Sequence, residues 1–178
     1  NGVKASVLSF VPLNDNCEIS QLTLTNGSSE DKKLSVFSYV EWCLWNADDD
    51  MKNFQRNLST GEVEVQDSTI YHKTEYRERR NHYAIYSVNT KIDGFDTSRD
   101  AFLGAYRGAD SPEAVENGKC TNSMASGWSP IASHQINVDL AAGETKTFIF
   151  VLGYIENPED EKWESYGVIN KTRNRSEE

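Results

Sequence analysis

Residues 34–45 read LSVFSYVEWCLW and form the most apolar run of the chain. In an extended strand, successive side chains point to opposite faces. Here both faces are apolar: Leu34, Val36, Val40, Trp42 and Leu44 share one, and Phe37, Tyr39, Cys43 and Trp45 share the other. A buried helix is the alternative, but β-branched and aromatic residues favour a strand. We therefore predict an inner strand of a layered sheet, covered on both faces.

Further strand patterns recur along the chain and are separated by turn residues. They cover residues 3–13, 21–25, 62–66, 69–74, 82–89, 134–140 and 147–154. Residues 147–154 are apolar on both faces, which predicts a central strand. Short helices are predicted at 96–103, ended by Gly104, and at 111–117, opened by Pro112. Together these patterns predict a mainly β fold, an antiparallel β-sandwich with short helical insertions.

Composition narrows the class of partner. The chain has 28 acidic and 18 basic residues and a net charge of −10, which argues against nucleic acid or an anionic membrane surface as a partner. It has no run of about 18 apolar residues, so we expect no transmembrane helix. Its three cysteines are widely spaced, which suggests reduced thiols in a cytoplasmic protein.

The segment Asn53-Phe54-Gln55-Arg56-Asn57 is the strongest candidate for a binding site. It places three amides and one guanidinium around a phenyl ring, between two predicted strands. Amides and guanidinium offer hydrogen-bond donors and acceptors in planar groups, which suit hydroxyl-rich ligands. The alternative is a solvated loop in which the phenyl ring is a packing anchor.

A catalytic centre is not evident from the residues. His72, His82 and His134 match no zinc motif, and we expect no metal site. No serine-nucleophile elbow or glycine-rich phosphate loop is present. The nearest candidate for a raised-pKa acid is Glu41, inside the apolar run. We favour the alternative that Glu41 faces a polar rim or pairs with an arginine.

Several strings resemble a known family. They are EWCLWNA (41–47), NFQRN (53–57), YHKTEYRERR (71–80), GFDT (94–97), FLG (102–104), GWSPIA (127–132) and residues 148–157. In this order they are similar to the amino-terminal region of the cellobiose phosphorylase family, within the inverting disaccharide phosphorylases of glycoside hydrolase family 94. The resemblance spans nearly the whole chain.

The resemblance implies a fold and a domain division. Residues 1–158 would form a galactose mutarotase-like super-sandwich domain that is incomplete at its amino-terminal end. Residues 159–178 would begin a helical linker toward an (α/α)₆ catalytic barrel, which this chain lacks.

The resemblance also implies an activity: cellobiose and phosphate give α-glucose 1-phosphate and glucose, with inversion. Inorganic phosphate is the co-substrate, and no cofactor is expected. The catalytic acid belongs to the barrel, so we expect no catalytic residue here and an inactive isolated chain. Asn53, Gln55 and Arg56, with Asn46 as a weaker candidate, would line the acceptor-glucose pocket.

The family resemblance implies a homodimer and leaves other functions open for this chain. One alternative is a stand-alone, non-catalytic carbohydrate-binding β-sandwich module. Another is a purely structural interface domain, whose 53–57 segment only packs.

Overall fold

The computed structural model describes residues 2–42, 61–74, 81–127 and 129–172. In chain order its strands are β1 (Val3–Phe10), β2 (Cys17–Asn26), β3 (Lys32–Phe37), β4 (Val40–Glu41), β5 (Gly61–Gln66), β6 (Thr69–Thr74), β7 (His82–Val88), β8 (Gly94–Ser98), β9 (Ser126–Gly127), β10 (Pro130–Leu140), β11 (Thr145–Glu156), β12 (Trp163–Ser165) and β13 (Val168–Ile169). The helices are α1 (Arg99–Leu103) and α2 (Glu113–Glu116).

The fold is built mainly from two antiparallel sheets. The first has the order β1-β2-β11-β7-β6-β5-β9. In the second, β10 pairs with β3 and β4 along one edge and with β8 along the other. The predicted antiparallel β-sandwich with short helices is therefore confirmed, as is the central position of β11, which pairs with β2 and β7.

The main core lies between the inner faces of the two sheets. Ile70, Tyr86 and Phe150 of the first sheet pack in one buried cluster with Ala132 and Ile136 of the second. The ring of His134 lies in the same layer, stacked on Tyr86 with centroids 4.9 Å apart and planes 13° apart. Alternation along each strand thus supplies an apolar inner face.

In the described part of the apolar run, residues 34–42, the apolar side chains are half-buried and have packing partners on both faces, but the place of the run in the sheet differs from the prediction. Residues 43–45 of the predicted strand lie outside the described residues. Leu34 and Val36 pack on the main core. Phe37 and Tyr39 pack on the opposite face, against Phe102 of α1. In the described residues, however, β3 and β4 pair only with β10, as one edge ladder interrupted at residues 38–39.

A strand can be packed on both faces and still lie at the edge of its sheet, because coverage of its faces and pairing of its edges are independent. The helical insertion covers the outer face and leaves the outer edge of β3 without a described partner strand. At the interruption the Ser38 amide still donates to the His134 carbonyl at 3.0 Å, so the ladder continues in register.

The two short helices form near the predicted positions. The first begins at Arg99 rather than at residue 96, because residues 94–98 pair with β10 as a strand. It ends at Gly104, which has a φ of 89° and donates its amide to the Asp100 carbonyl at 2.9 Å. A positive φ of this kind costs glycine little, so the predicted stop signal acts as expected.

The helical character predicted for residues 159–178 is wrong for residues 159–172. That segment forms a 3-10 turn at Glu159–Glu161 and the β12–β13 hairpin. Ile169 is buried between Tyr71 and Tyr83 on the outer face of the first sheet. This apolar anchor and the ion pairs described below hold the segment against the sheet. The division into a sandwich domain and a linker stays a prediction.

Strand β1 is exposed along most of its length. It pairs with β2, and in the described residues it has no strand on its other edge. Val7 is 65% exposed and Leu8 61%, on opposite faces of the strand.

The connections between strands differ at the two ends of the sandwich. At one end, which we call the turn end, the connections are 27–31, 67–68, 89–93 and 141–144. At the other end, which we call the loop end, the chain passes through 11–16, 42–60, 75–81, 99–129 and 157–172. The long connections, and with them the segment that contains residues 53–57, all begin or end at the loop end.

Candidate functional site at the loop end

The residues predicted to bind sugar, Asn46, Asn53, Gln55 and Arg56, lie outside the described residues. Their segment leaves the second sheet after β4 and enters the first sheet at β5. The described residues at these two points define the base of the candidate site.

The departure point is fixed by Trp42. Its ring stacks on His72 of β6, with centroids 5.4 Å apart and planes 16° apart. The stack joins the two sheets, because Trp42 follows β4 and His72 belongs to the first sheet. Trp42 is half-buried and packs against the main core.

Next to Trp42, Glu41 is held in a charged cluster. Its carboxylate accepts hydrogen bonds from the Tyr39 hydroxyl at 2.5 Å and from Arg99 Nε at 3.1 Å. Burial and the nearby Glu41 carboxylate raise the pKa of Tyr39 above its ordinary value, so its hydroxyl stays protonated and donates. The prediction that Glu41 pairs with an arginine is confirmed.

The arrival point is fixed by backbone pairing. Gly61 pairs with Thr74 of β6 on one side and with Gly127 of β9 on the other. Strand β9 belongs to the long insertion 99–129, so the insertion pairs with β5 at the edge of the first sheet.

An open cavity of about 400 Å³ lies at the loop end, under the 11–16 connection. Its aromatic lining comes from Trp42 and Tyr154, and its floor includes Ala84. Polar groups at its walls are Asp15, Asn16, Glu18 and Glu41. The lining therefore combines ring faces with hydrogen-bond acceptors.

A second polar cluster fixes the β12–β13 hairpin beside the loop end. Glu64 of β5 forms ion pairs with Lys73 at 3.2 Å and with Lys171 at 2.5 Å. It also accepts the Ile169 amide at 3.1 Å. Lys73 and Lys171 are only 5% and 6% exposed, and Lys73 also donates to the Gly167 carbonyl. Burial alone would raise the pKa of Glu64, but these hydrogen bonds lower it below its ordinary value.

Two of the three histidines, His72 and His134, are buried among aromatic rings. No group of three or more metal-binding side chains occurs in the residues that the structure describes. Burial lowers the pKa of His72 to about 4 and that of His134 to about 4, so both rings are neutral near pH 7. His72 stacks on Trp42, and His134 stacks on Tyr86 and has its Nδ1 3.4 Å from the Ser38 hydroxyl, which indicates a packing role for both rings.

Sequence patterns missed Ala84, Tyr154 and Glu18 as members of one site. They lie on three strands, and only the register brings them together: Ala84 pairs with Tyr154 across β7 and β11. A small residue between aromatic positions on predicted neighbouring strands is the one available signal. It requires the strand pairing to be known first.

No helix in the described ranges is long and apolar enough to cross a membrane. The Asp15, Glu18 and Glu41 carboxylates give the loop end an acidic cavity, in keeping with the net charge of −10.

Comparison with known proteins yields one family match. The family described as glycosyl hydrolase 94, supersandwich domain, matches residues 1–175. The chain is 30% identical over 154 residues to the N,N'-diacetylchitobiose phosphorylase of Vibrio proteolyticus, covering 86% of this chain and 19% of that protein. It is 28% identical over 165 residues to the solabiose phosphorylase of Paenibacillus borealis, covering 89% and 21%.

A solved polysaccharide lyase aligns with a TM-score of 0.46 at 12% identity, over 90% of this chain and 21% of that chain. The chain spans about a fifth of the length of the curated relatives it matches.

Proposed function

We propose that this chain, which belongs to the family of glycosyl hydrolase 94 supersandwich domains, is the sandwich part of an inverting disaccharide phosphorylase. The family match over residues 1–175 carries the proposal, and both relatives named above are disaccharide phosphorylases. The disaccharide that we propose is cellobiose, cleaved by phosphate to α-glucose 1-phosphate and glucose.

In this mechanism the nucleophile is already an anion. Phosphate attacks the anomeric carbon opposite the leaving oxygen, so the configuration inverts, and no general base is needed. A carboxylic acid must protonate the leaving oxygen, and we assign it to a part of the enzyme outside this chain. No residue of the 178 is proposed as catalytic.

The contribution of this chain is to the acceptor sugar. We propose that Arg56 and Gln55 hold neighbouring hydroxyls of the acceptor glucose, that Asn53 positions the loop or the sugar, and that Asn46 assists. Guanidinium and amide groups have the planar donor and acceptor geometry for this task. Support comes from the two described residues that flank the segment, because Trp42 stacks on His72 and Gly61 pairs with Thr74, both on β6.

The proposal includes the oligomeric state of the enzyme and its cellular compartment. The enzyme works as a homodimer in the cytoplasm, with inorganic phosphate as co-substrate and no cofactor. Nucleic acid and membranes are not partners, in keeping with the net charge of −10.

The test is Arg56→Ala in the full-length enzyme, assayed in the synthetic direction. Loss of a charged hydrogen bond of about 1.5–3 kcal/mol should raise the acceptor KM about tenfold or more. The melting temperature should change little. Lys33→Ala, at a side chain 89% exposed on β3, is the matched control and should leave KM unchanged.

An unchanged acceptor KM with a lowered melting temperature would contradict the proposal and favour a packing role for the loop. In the same assay the isolated 178-residue chain should release no glucose 1-phosphate from cellobiose and phosphate. Release by that chain alone would also contradict the proposal.

A further inference from the structure

Ala84 is a small residue in an aromatic row and lines part of the loop-end cavity. On the inner face of the first sheet, it lies between His72 on β6 and Tyr154 on β11 as their direct cross-strand neighbour. Trp42 stacks on His72. Tyr154 makes an edge contact with His82, with centroids 5.2 Å apart. The open volume of the cavity is about 400 Å³, and the rings of Trp42 and Tyr154 belong to its lining.

Among the described residues, the polar walls of the cavity carry hydrogen-bond acceptors and no lysine or arginine. The walls are formed by Asp15, Asn16, Glu18 and Glu41, together with apolar surface that includes Val11 and Leu152. Glu41 is already paired with Arg99 and Tyr39. The side chains of Asp15 and Glu18 belong to exposed residues at its rim. Anionic ligands are therefore disfavoured, and donors of hydrogen bonds are favoured.

The volume and the mixed lining indicate the ligand class. A cavity of this size falls at the lower end of the range for small-molecule sites, about 300–1,000 Å³. A pyranose ring has faces of C–H bonds that pack on aromatic rings and an edge of hydroxyls that donate to carboxylates and amides. We propose that this cavity is a binding site for a neutral mono- or disaccharide, held against Trp42 and Tyr154 with hydroxyls donating to Glu18, Asp15 and Asn16.

The contacts proposed for this site all come from residues that the structure describes. The site also rejects the phosphorylated product, because a phosphate would meet carboxylates. A cationic ligand held by the rings and acids is the competing class.

The experiment is calorimetric titration of the 178-residue chain with glucose, cellobiose, α-glucose 1-phosphate and choline. Saturable binding of glucose or cellobiose is expected, with α-glucose 1-phosphate weaker by about tenfold or more. Ala84→Leu fills the floor and should weaken saccharide binding at least about tenfold. Ala142→Leu, at the exposed turn end, is the matched control and should bind as the unmodified chain does.

Because Ala84 is only 3% exposed, Ala84→Leu risks misfolding. Glu18→Gln keeps the shape of an exposed residue and should lower saccharide affinity several-fold at an unchanged melting temperature. Three results would overturn the proposal: no saturable saccharide binding, binding of choline alone, or full saccharide affinity in both Ala84→Leu and Glu18→Gln. These results concern the isolated chain, so they stand apart from the acceptor KM of Arg56→Ala in the full-length enzyme.

Discussion

The turn end and the loop end of the sandwich are stabilised at their centres by different chemistry. At the turn end, the neutral amide of Asn26 is fully buried and donates to the Glu30, Leu140 and Ala141 carbonyls at 2.7, 3.1 and 3.1 Å. Its oxygen accepts the Ser28 amide at 3.0 Å and the Ser28 hydroxyl at 2.7 Å.

At the loop end the corresponding groups are ionic or titratable. Glu41 pairs with Arg99, Glu64 pairs with Lys73 and Lys171, and His72 is buried beneath Trp42. A neutral, self-satisfied cluster is insensitive to pH, whereas buried ionisable groups make stability depend on it. The end that carries the long connections is therefore the end that responds to solution conditions.

The largest expected effect is at Glu64. Replacing it by leucine removes the carboxylate that pairs with the nearly buried Lys171 and leaves Lys73 with Glu62, at 3.1 Å, as its carboxylate partner. Loss of one partner of a buried ion pair typically costs about 3–5 kcal/mol. We expect Glu64→Leu to lower the free energy of unfolding in urea by about 4 kcal/mol, or to release the β12–β13 hairpin. Limited proteolysis between residues 157 and 172 separates these two results.

The control for Glu64 is an exposed pair. Lys33 and Asp139 are 3.3 Å apart with side chains 89% and 79% exposed, so Asp139→Asn should leave the urea midpoint unchanged. If Glu64→Leu and Asp139→Asn lowered the free energy of unfolding equally, buried and exposed ion pairs would not differ in their contribution to stability.

Asn26 should give the next largest effect, at the opposite end. Asn26→Ala leaves buried carbonyls and the Ser28 amide without a partner, which we expect to cost about 3 kcal/mol. The loss should be the same at pH 7 and pH 5, because no titratable group is removed. Urea unfolding at both pH values measures it, and a loss that changed strongly with pH would contradict the neutral character of the turn end.

The smallest of the three effects is the dependence of the free energy of unfolding on pH. The pKa of His72 falls from 6.5 in the unfolded chain to about 4 in the fold, mainly through burial. The unfolded state then binds more protons between these values, so stability is complete above pH 6.5 and is lost as the pH falls toward 4. We expect a loss of about 2 kcal/mol from this histidine between pH 7 and pH 5.

The variant His72→Phe isolates the part of the pH dependence of stability that comes from His72 at the loop end. It keeps a ring for Trp42 to stack on, and its free energy of unfolding should fall less than that of the unmodified chain between pH 7 and pH 5. The remaining fall belongs in part to His134, whose pKa burial also lowers to about 4. An identical pH profile in His72→Phe would show that His72 does not set the sensitivity of the loop end.

Sequence patterns predicted those features of the fold that depend on which faces of a strand are apolar. Residues 147–154 are apolar on both faces, and β11 is central. For the described residues 34–42, packing partners on both faces were predicted correctly and an inner position wrongly. Alternation reports what lies above and below a strand and not what lies beside it. Gly104 ended its helix as predicted, since that signal is local.

The structure of residues 159–172 and the loop-end cavity could not be predicted from sequence patterns, because both depend on tertiary contacts. Residues 159–172 are rich in charge, yet Ile169 and Lys171 find partners on strands about 100 residues earlier in the chain. The cavity depends on Ala84 facing Tyr154, which only the register reveals. The predicted sugar contacts Asn46, Asn53, Gln55 and Arg56 remain predictions, supported by the family and by the fixed base of their segment.

In the part of the chain that the structure describes, one edge of β1 has no partner strand, which bears on how this chain behaves at high concentration. An unpaired strand edge is a template on which another copy can add a strand through its backbone amides and carbonyls. Val7 and Leu8 would make such an intermolecular ribbon apolar on both sides, and Lys4 is the charge within the strand that opposes it. Self-association through this edge would be a colloidal hazard, unrelated to any assembly that serves catalysis.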